Sequence, residues 1–170
     1  MTNCIQTLLG YHAWANRDLL EKLQKLEATG DAEALHAALR LMNHSYVVAR
    51  IFAGHLTGQP HGYVSDNTPE TPTLTEMSSA VAASDGWLID YAAKADEPQL
   101  AEFIAFDFTD GDRGGMTRQE MLIHVVLHAG YHRGEIGRIL GEHSITPPWD
   151  TFAVYLHQTT PARRLGKQAA

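Results

Sequence analysis

The stretch from Thr57 to Thr73 holds Pro60, Pro69 and Pro72, so no helix can run through it. On either side the chain has helical periodicity. Ahead of the break, Leu8, Leu9, Leu19, Leu20, Leu23 and Leu26 recur at helical spacing over residues 3–27, and Thr29-Gly30 ends that run. Asp31 suits the N-cap of a second segment over 31–56. Beyond the break, Thr73 with Glu76 forms a capping box that opens a third segment over 74–95. Thr117 with Glu120 forms another and opens a fourth over 117–140. Four such segments predict an all-α fold, a four-helix bundle. A link as long as 57–73 can cross the end of a bundle and join parallel neighbours, whereas short turns join antiparallel ones.

Smaller features fill the remainder. Residues 100–109, LAEFIAFDFT, alternate as an extended strand, and the glycine-rich turn DGDRGG follows. Pro147 and Pro148 break the chain ahead of a short final helix over 149–158. No repeat or linker divides the sequence, so residues 1–170 are expected to form a single domain.

Composition excludes some partners. Hydrophobic residues make up 44% and charged residues 19%, as in a globular protein. A formal charge of −7 counts against nucleic acid, which needs a basic surface. The densest basic patch, Arg163, Arg164 and Lys167, reads as a solvated tail. Cys4 is the only cysteine, so no intrachain disulfide can form, and nothing around it marks a reactive thiol. The N-terminus lacks the pattern of a signal peptide, and no stretch approaches the ~20 apolar residues of a membrane span. A cytoplasmic location without membrane contact is the expectation.

Ten histidines are many for this length, and their spacing is informative. In the fourth segment Met121, Val125, His128, His132, Ile136 and Ile139 fall within about 80° on a helical wheel, a stripe that should face the core. Two imidazoles there must be hydrogen-bonded or metal-bound. At i and i+4 they can reach one ion from the same face. In the second segment His44 and His55 share a face but lie about 16 Å apart along the axis, so only one can join them. Spacing leaves that choice open. His124 precedes His128 by four residues. Three ligands at i, i+4 and i+8 would span about 12 Å, which metal–nitrogen bonds of about 2 Å cannot close. His124 is therefore expected to support the site or be simply buried.

The fourth segment, HVVLHAGYHRGEIGRIL, followed by PPWD, resembles the signature of the DinB-like (DinB/YfiT) superfamily of metal-binding four-helix proteins. The first segment, YHAWANRDLLEKL, is similar to that superfamily's opening, and LMNHSYVVARIFAGHL resembles the part that supplies its first ligand. The resemblance implies an up-up-down-down bundle with a long crossover between the second and third helices. It also implies a three-histidine site, and it selects His44 over His55 as the partner of His128 and His132. One departure is Glu135, where the pattern usually carries glutamine.

Three imidazoles leave a divalent ion with open positions, the pattern of a catalytic rather than a structural site. Zinc is the first choice; nickel, iron or manganese accept the same nitrogens. Glu135 is the candidate catalytic base, with an ion pair to Arg138 as its alternative. Tyr46, Asp107 and Tyr131 rank behind it, while Trp14 and Asn16 are expected to fix helix packing. The superfamily includes enzymes that act with low-molecular-weight thiols, so the resemblance implies a metal-dependent thiol transferase with a small-molecule substrate. A metal-dependent hydrolase and a non-enzymatic binding protein with a structural or vestigial site are the alternatives.

Gly130, Gly134, Gly137 and Gly141 line another face of the fourth segment. Each interior glycine costs about 1 kcal/mol of helix stability, which makes sense where another backbone approaches closely. The first helix, the third helix or a second copy of the chain could supply that backbone, and a homodimer is expected.

Overall fold

The computed structural model describes residues 4–166. Its long helices are α1 (Cys4–Glu27), α2 (Ala32–Thr57), α3 (Leu74–Lys94) and α5 (Arg118–Glu142). Between α3 and α5 lie a short helix α4 (Glu97–Ala101) and a hairpin of β1 (Phe103–Asp107) and β2 (Arg113–Thr117). Helix α6 (Phe152–Thr159) and a 3-10 turn (Pro161–Arg163) follow α5. Lys167, of the basic tail, lies outside the described residues; Arg163 and Arg164 are exposed.

Local chemistry sets the helix ends. The Asp31 side chain accepts from the Ala34 N–H, and Gly58, at φ 67°, closes α2 in the left-handed region that glycine adopts without strain. Both capping boxes form, Thr73 with Glu76 and Thr117 with Glu120. A third one, Asp96 with Gln99, starts α4, so Leu100 is helical and the strand begins only at Phe103. Part of the glycine-rich stretch is itself strand, with Phe103 opposite Thr117 and Asp107 opposite Arg113. A Cβ on Gly115 would come within 2.3 Å of the Phe103 ring, and one on Gly114 within 2.6 Å of the Phe108 ring, so each exposed ring lies over a glycine and would have to swing aside for any other residue.

Helix directions follow from two apolar clusters. One joins Ile5 and Leu9 of α1, Val48–Leu56 of α2, Leu88 and Ala92 of α3, and Met121–Val126 of α5. The other joins Leu19–Leu26, Ala38–Met42, Leu74–Val81 and Ile136–Leu140. The start of α1 therefore meets the ends of α2 and α3 and the start of α5. An all-α bundle with a long crossover between α2 and α3 is what the chain builds, but the directions run up, down, down, up rather than up-up-down-down. The short turn at 28–31 forces α1 and α2 antiparallel, and only the link over 58–73 joins parallel helices.

Between the two clusters lies a belt of buried polar groups, His12, Asn16, Asn43, Ser84, Asp85 and Arg133. Asp85 accepts from Asn16 Nδ2 at 3.0 Å and faces His12 Nε2 at 3.1 Å. Arg133 donates to Asn16 Oδ1 at 3.0 Å and, through Nε, to Asp150 at 2.6 Å. Asp150 also accepts from the Tyr11 hydroxyl, which ties the chain after α5 to α1. Asn16 thus fixes helix packing, as its position suggested; Trp14 packs at 5.8 Å against Tyr155 of α6.

The glycine face of α5 meets no other helix. An added Cβ would touch nothing at Gly134 or Gly141, only Pro147 at Gly137, and only the end of the Arg133 side chain at Gly130. Beside it, Leu127 and Tyr131 are 68% and 69% exposed. Among the described residues no helix is long and apolar enough to cross a membrane.

Candidate metal centre

Helix α5 presents His128 and His132 one turn apart, and antiparallel α2 brings His44 opposite them. His44 Nε2 lies 3.1 Å from His128 Nε2, and His132 Nε2 lies 3.2 Å from it. All three ligand atoms fall within 4.8 Å of one another, and each residue is half-buried. Two tetrahedral metal–nitrogen bonds of about 2.0 Å place their nitrogens about 3.3 Å apart. Two of the three edges match that separation.

The partners of the outer nitrogens fix the tautomers. His44 Nδ1 lies 2.8 Å from the Asp66 backbone oxygen, which can only accept, so Nδ1 carries the hydrogen and neutral His44 turns a lone pair inward. His132 Nδ1 lies 2.6 Å from Glu135 Oε2, and the same reasoning leaves its Nε2 unprotonated. His128 Nε2 stands between two acceptors and has at most one hydrogen to offer. Burial, reinforced by the neighbouring His132 and His44 rings, lowers the His128 pKa to about 4, so an added proton does not relieve the conflict near neutral pH. Converging lone pairs in a half-buried site are the donor set of a cation. The cluster could hold a metal ion.

The proline-rich crossover holds the first of these rings in place. Asn67 donates to the Arg40 backbone oxygen at 3.1 Å, and Asn43 donates to Thr68 Oγ1 at 2.6 Å. These bonds clamp the loop on α2 so that the Asp66 carbonyl meets His44. Nothing in the sequence marked Asp66 for that position.

The other sequence candidates add no ligand atom to the cluster. His55 is not in the cluster; its ring stacks on Phe106 at 4.6 Å, and its Nε2 is buried without a partner. His124 is half-buried, stacked on His128 at 5.4 Å and tilted against Phe52 at 4.7 Å, and burial lowers its pKa. Glu135 does not pair with Arg138, whose guanidinium bonds Glu142 instead. Asp107 faces Arg113 on the hairpin at 3.4 Å. Tyr131 sets its ring 5.0 Å from His132, edge to face, and Tyr46 lines a separate cleft.

Fold and site together define a helical-bundle protein with a three-histidine cluster that could hold a metal ion. The chain belongs to the DinB family, whose model matches residues 1–165. No curated protein and no solved structure matches it.

Proposed function

We propose that the protein binds one divalent metal ion through Nε2 of His44, His128 and His132 and uses it in a metal-dependent enzyme of the thiol-transferase kind. The observation that carries the metal reading is the meeting of three imidazole nitrogens with too few hydrogens among them. Zinc is the first choice, and nickel, iron or manganese suit the same donors. When bound, such an ion supplies Lewis-acid chemistry toward a sulfur or oxygen atom of a small molecule.

The surrounding carboxylates favour a thiol over a hydrolytic reaction. Glu135 faces Nδ1 of His132, and the Asp66 carboxylate lies 3.7 Å from Nδ1 of His44, on the outer side of each ring. In this reading Glu135 is a positioning residue, and it would have to release His132 to act as a base. A thiol ionises far more readily than water and needs less help from a base. A cytoplasmic setting, where thiols stay reduced, fits this reading.

Elemental analysis of purified wild type beside His132→Ala tests the ion. About one equivalent in the wild type, lost in the variant, is expected; equal content in both would remove the site. Cobalt substitution tests the substrate class: a low-molecular-weight thiol should shift the visible spectrum. A cobalt-loaded protein indifferent to thiols but active on a simple ester would favour the hydrolase.

A further inference from the structure

A second cleft lies on the opposite side of α2 from the histidine cluster. Tyr46 and Arg50 stand about 200° and 240° round the helix from His44, facing α3 and the crossover. The cleft has a volume of about 490 Å³, and its walls include Tyr46, Arg50, Gln59, His61, Tyr63 and Trp87.

Its chemistry is one-sided. The Arg50 guanidinium lies over the Trp87 ring, 5.8 Å from the centroid. Among the described residues no carboxylate pairs with it, and none lines the cleft. The His61 ring accepts from the Tyr63 backbone N–H at Nδ1, 3.1 Å away, so in the neutral ring the hydrogen sits on Nε2, a donor. Tyr63 stands near Tyr46 in the cleft wall, and burial, with that neighbouring phenol, raises the Tyr63 pKa, which keeps its hydroxyl protonated. A protonated phenol has one hydroxyl hydrogen to give away. A guanidinium, an imidazole N–H and a phenol O–H face one cleft in a chain whose formal charge is −7.

Unpaired half-buried cations cost stability unless something answers them, and arginine answers planar oxyanions in two-pronged fashion. We propose that this cleft binds the oxyanion of a small molecule, a carboxylate or a phosphate, on the Arg50 guanidinium, with His61 and the tyrosine pair as further donors. The proposal is independent of any metal at His44, His128 and His132.

The test is a two-dimensional NMR titration of the full-length protein with inorganic phosphate and, separately, with benzoate. The indole N–H signal of Trp87, assigned by its loss in Trp87→Phe, reports on the cleft. Saturable movement of the Trp87 signal, with Trp14 and Trp149 still, is expected for one anion or both, and which one binds tells the class. The same titration should be retained in His132→Ala and at least about tenfold weaker in Arg50→Gln, since a charged hydrogen bond is lost. Circular dichroism checks that both variants are folded. No saturable shift at Trp87 in the wild type would overturn the proposal. Equal binding by folded Arg50→Gln, or binding lost with His132→Ala, would also overturn it.

Discussion

Glu135 Oε2 stands 2.6 Å from His132 Nδ1, one helical turn further along α5. That bond orients the imidazole, holds its hydrogen on the outer nitrogen and makes the inner one a better donor. Glu135→Ala should lower metal affinity by roughly 10- to 100-fold. Competition against a chelator of known affinity measures it. Unchanged affinity would show that the carboxylate is incidental to the site.

Acidification should weaken the metal-free fold. His128 falls from its ordinary value of 6.5 to about 4, burial being the larger cause and the adjacent imidazoles the rest. Below pH 6.5 the unfolded chain takes up a proton that the folded chain refuses. The stabilisation is therefore whole above that pH and is lost as pH falls toward 4. Urea midpoints of metal-free protein should drop across this window, and less steeply in His128→Gln. Coincident profiles would count against the assignment.

Arg133 is 4% exposed and bonds Asn16 and Asp150. Arg133→Met keeps volume but leaves Asp150 without its counter-charge and Asn16 Oδ1 without its donor. Removing one partner of a buried pair costs about 3–5 kcal/mol. Urea denaturation should show a loss of that size; a loss under about 1 kcal/mol would mean that water already screens the group.

Helix α5 keeps a glycine face that meets no other helix and is open at Gly134 and Gly141, with Leu127 and Tyr131 exposed beside it. We propose that a second copy covers it. Gly134→Leu, at a position open to solvent in the single chain, should then shift elution in size-exclusion chromatography while leaving helix content intact. An unchanged elution volume of folded protein refutes the dimer.

The sequence carried the helices because their signals are local. Thr73 and Thr117 announce their caps three residues ahead, and the leucine spacing of α1 predicts its buried stripe. His128 and His132 were visible for the same reason. The up-up-down-down order that the resemblance implies fails at the short turn after Glu27, which holds α1 and α2 antiparallel. Asp66, Asp85 and Asp150 were invisible because each acts on a partner remote in sequence, across 22 residues for His44 and 69 for Asn16. The partner of Glu135 was a choice between two neighbours on one helix, which spacing alone could not make.

The polar belt between the two apolar clusters has a consequence for how the helices align. A slide of one helical turn, about 5.4 Å, would carry Asp85 or Arg133 out of the belt and strand a charge in hydrocarbon. Leucines on either side would tolerate such a slip, since one apolar contact replaces another. The charged waist therefore works like a notch in a ratchet, and the helix that carries Arg133 also carries His128 and His132 into line with His44.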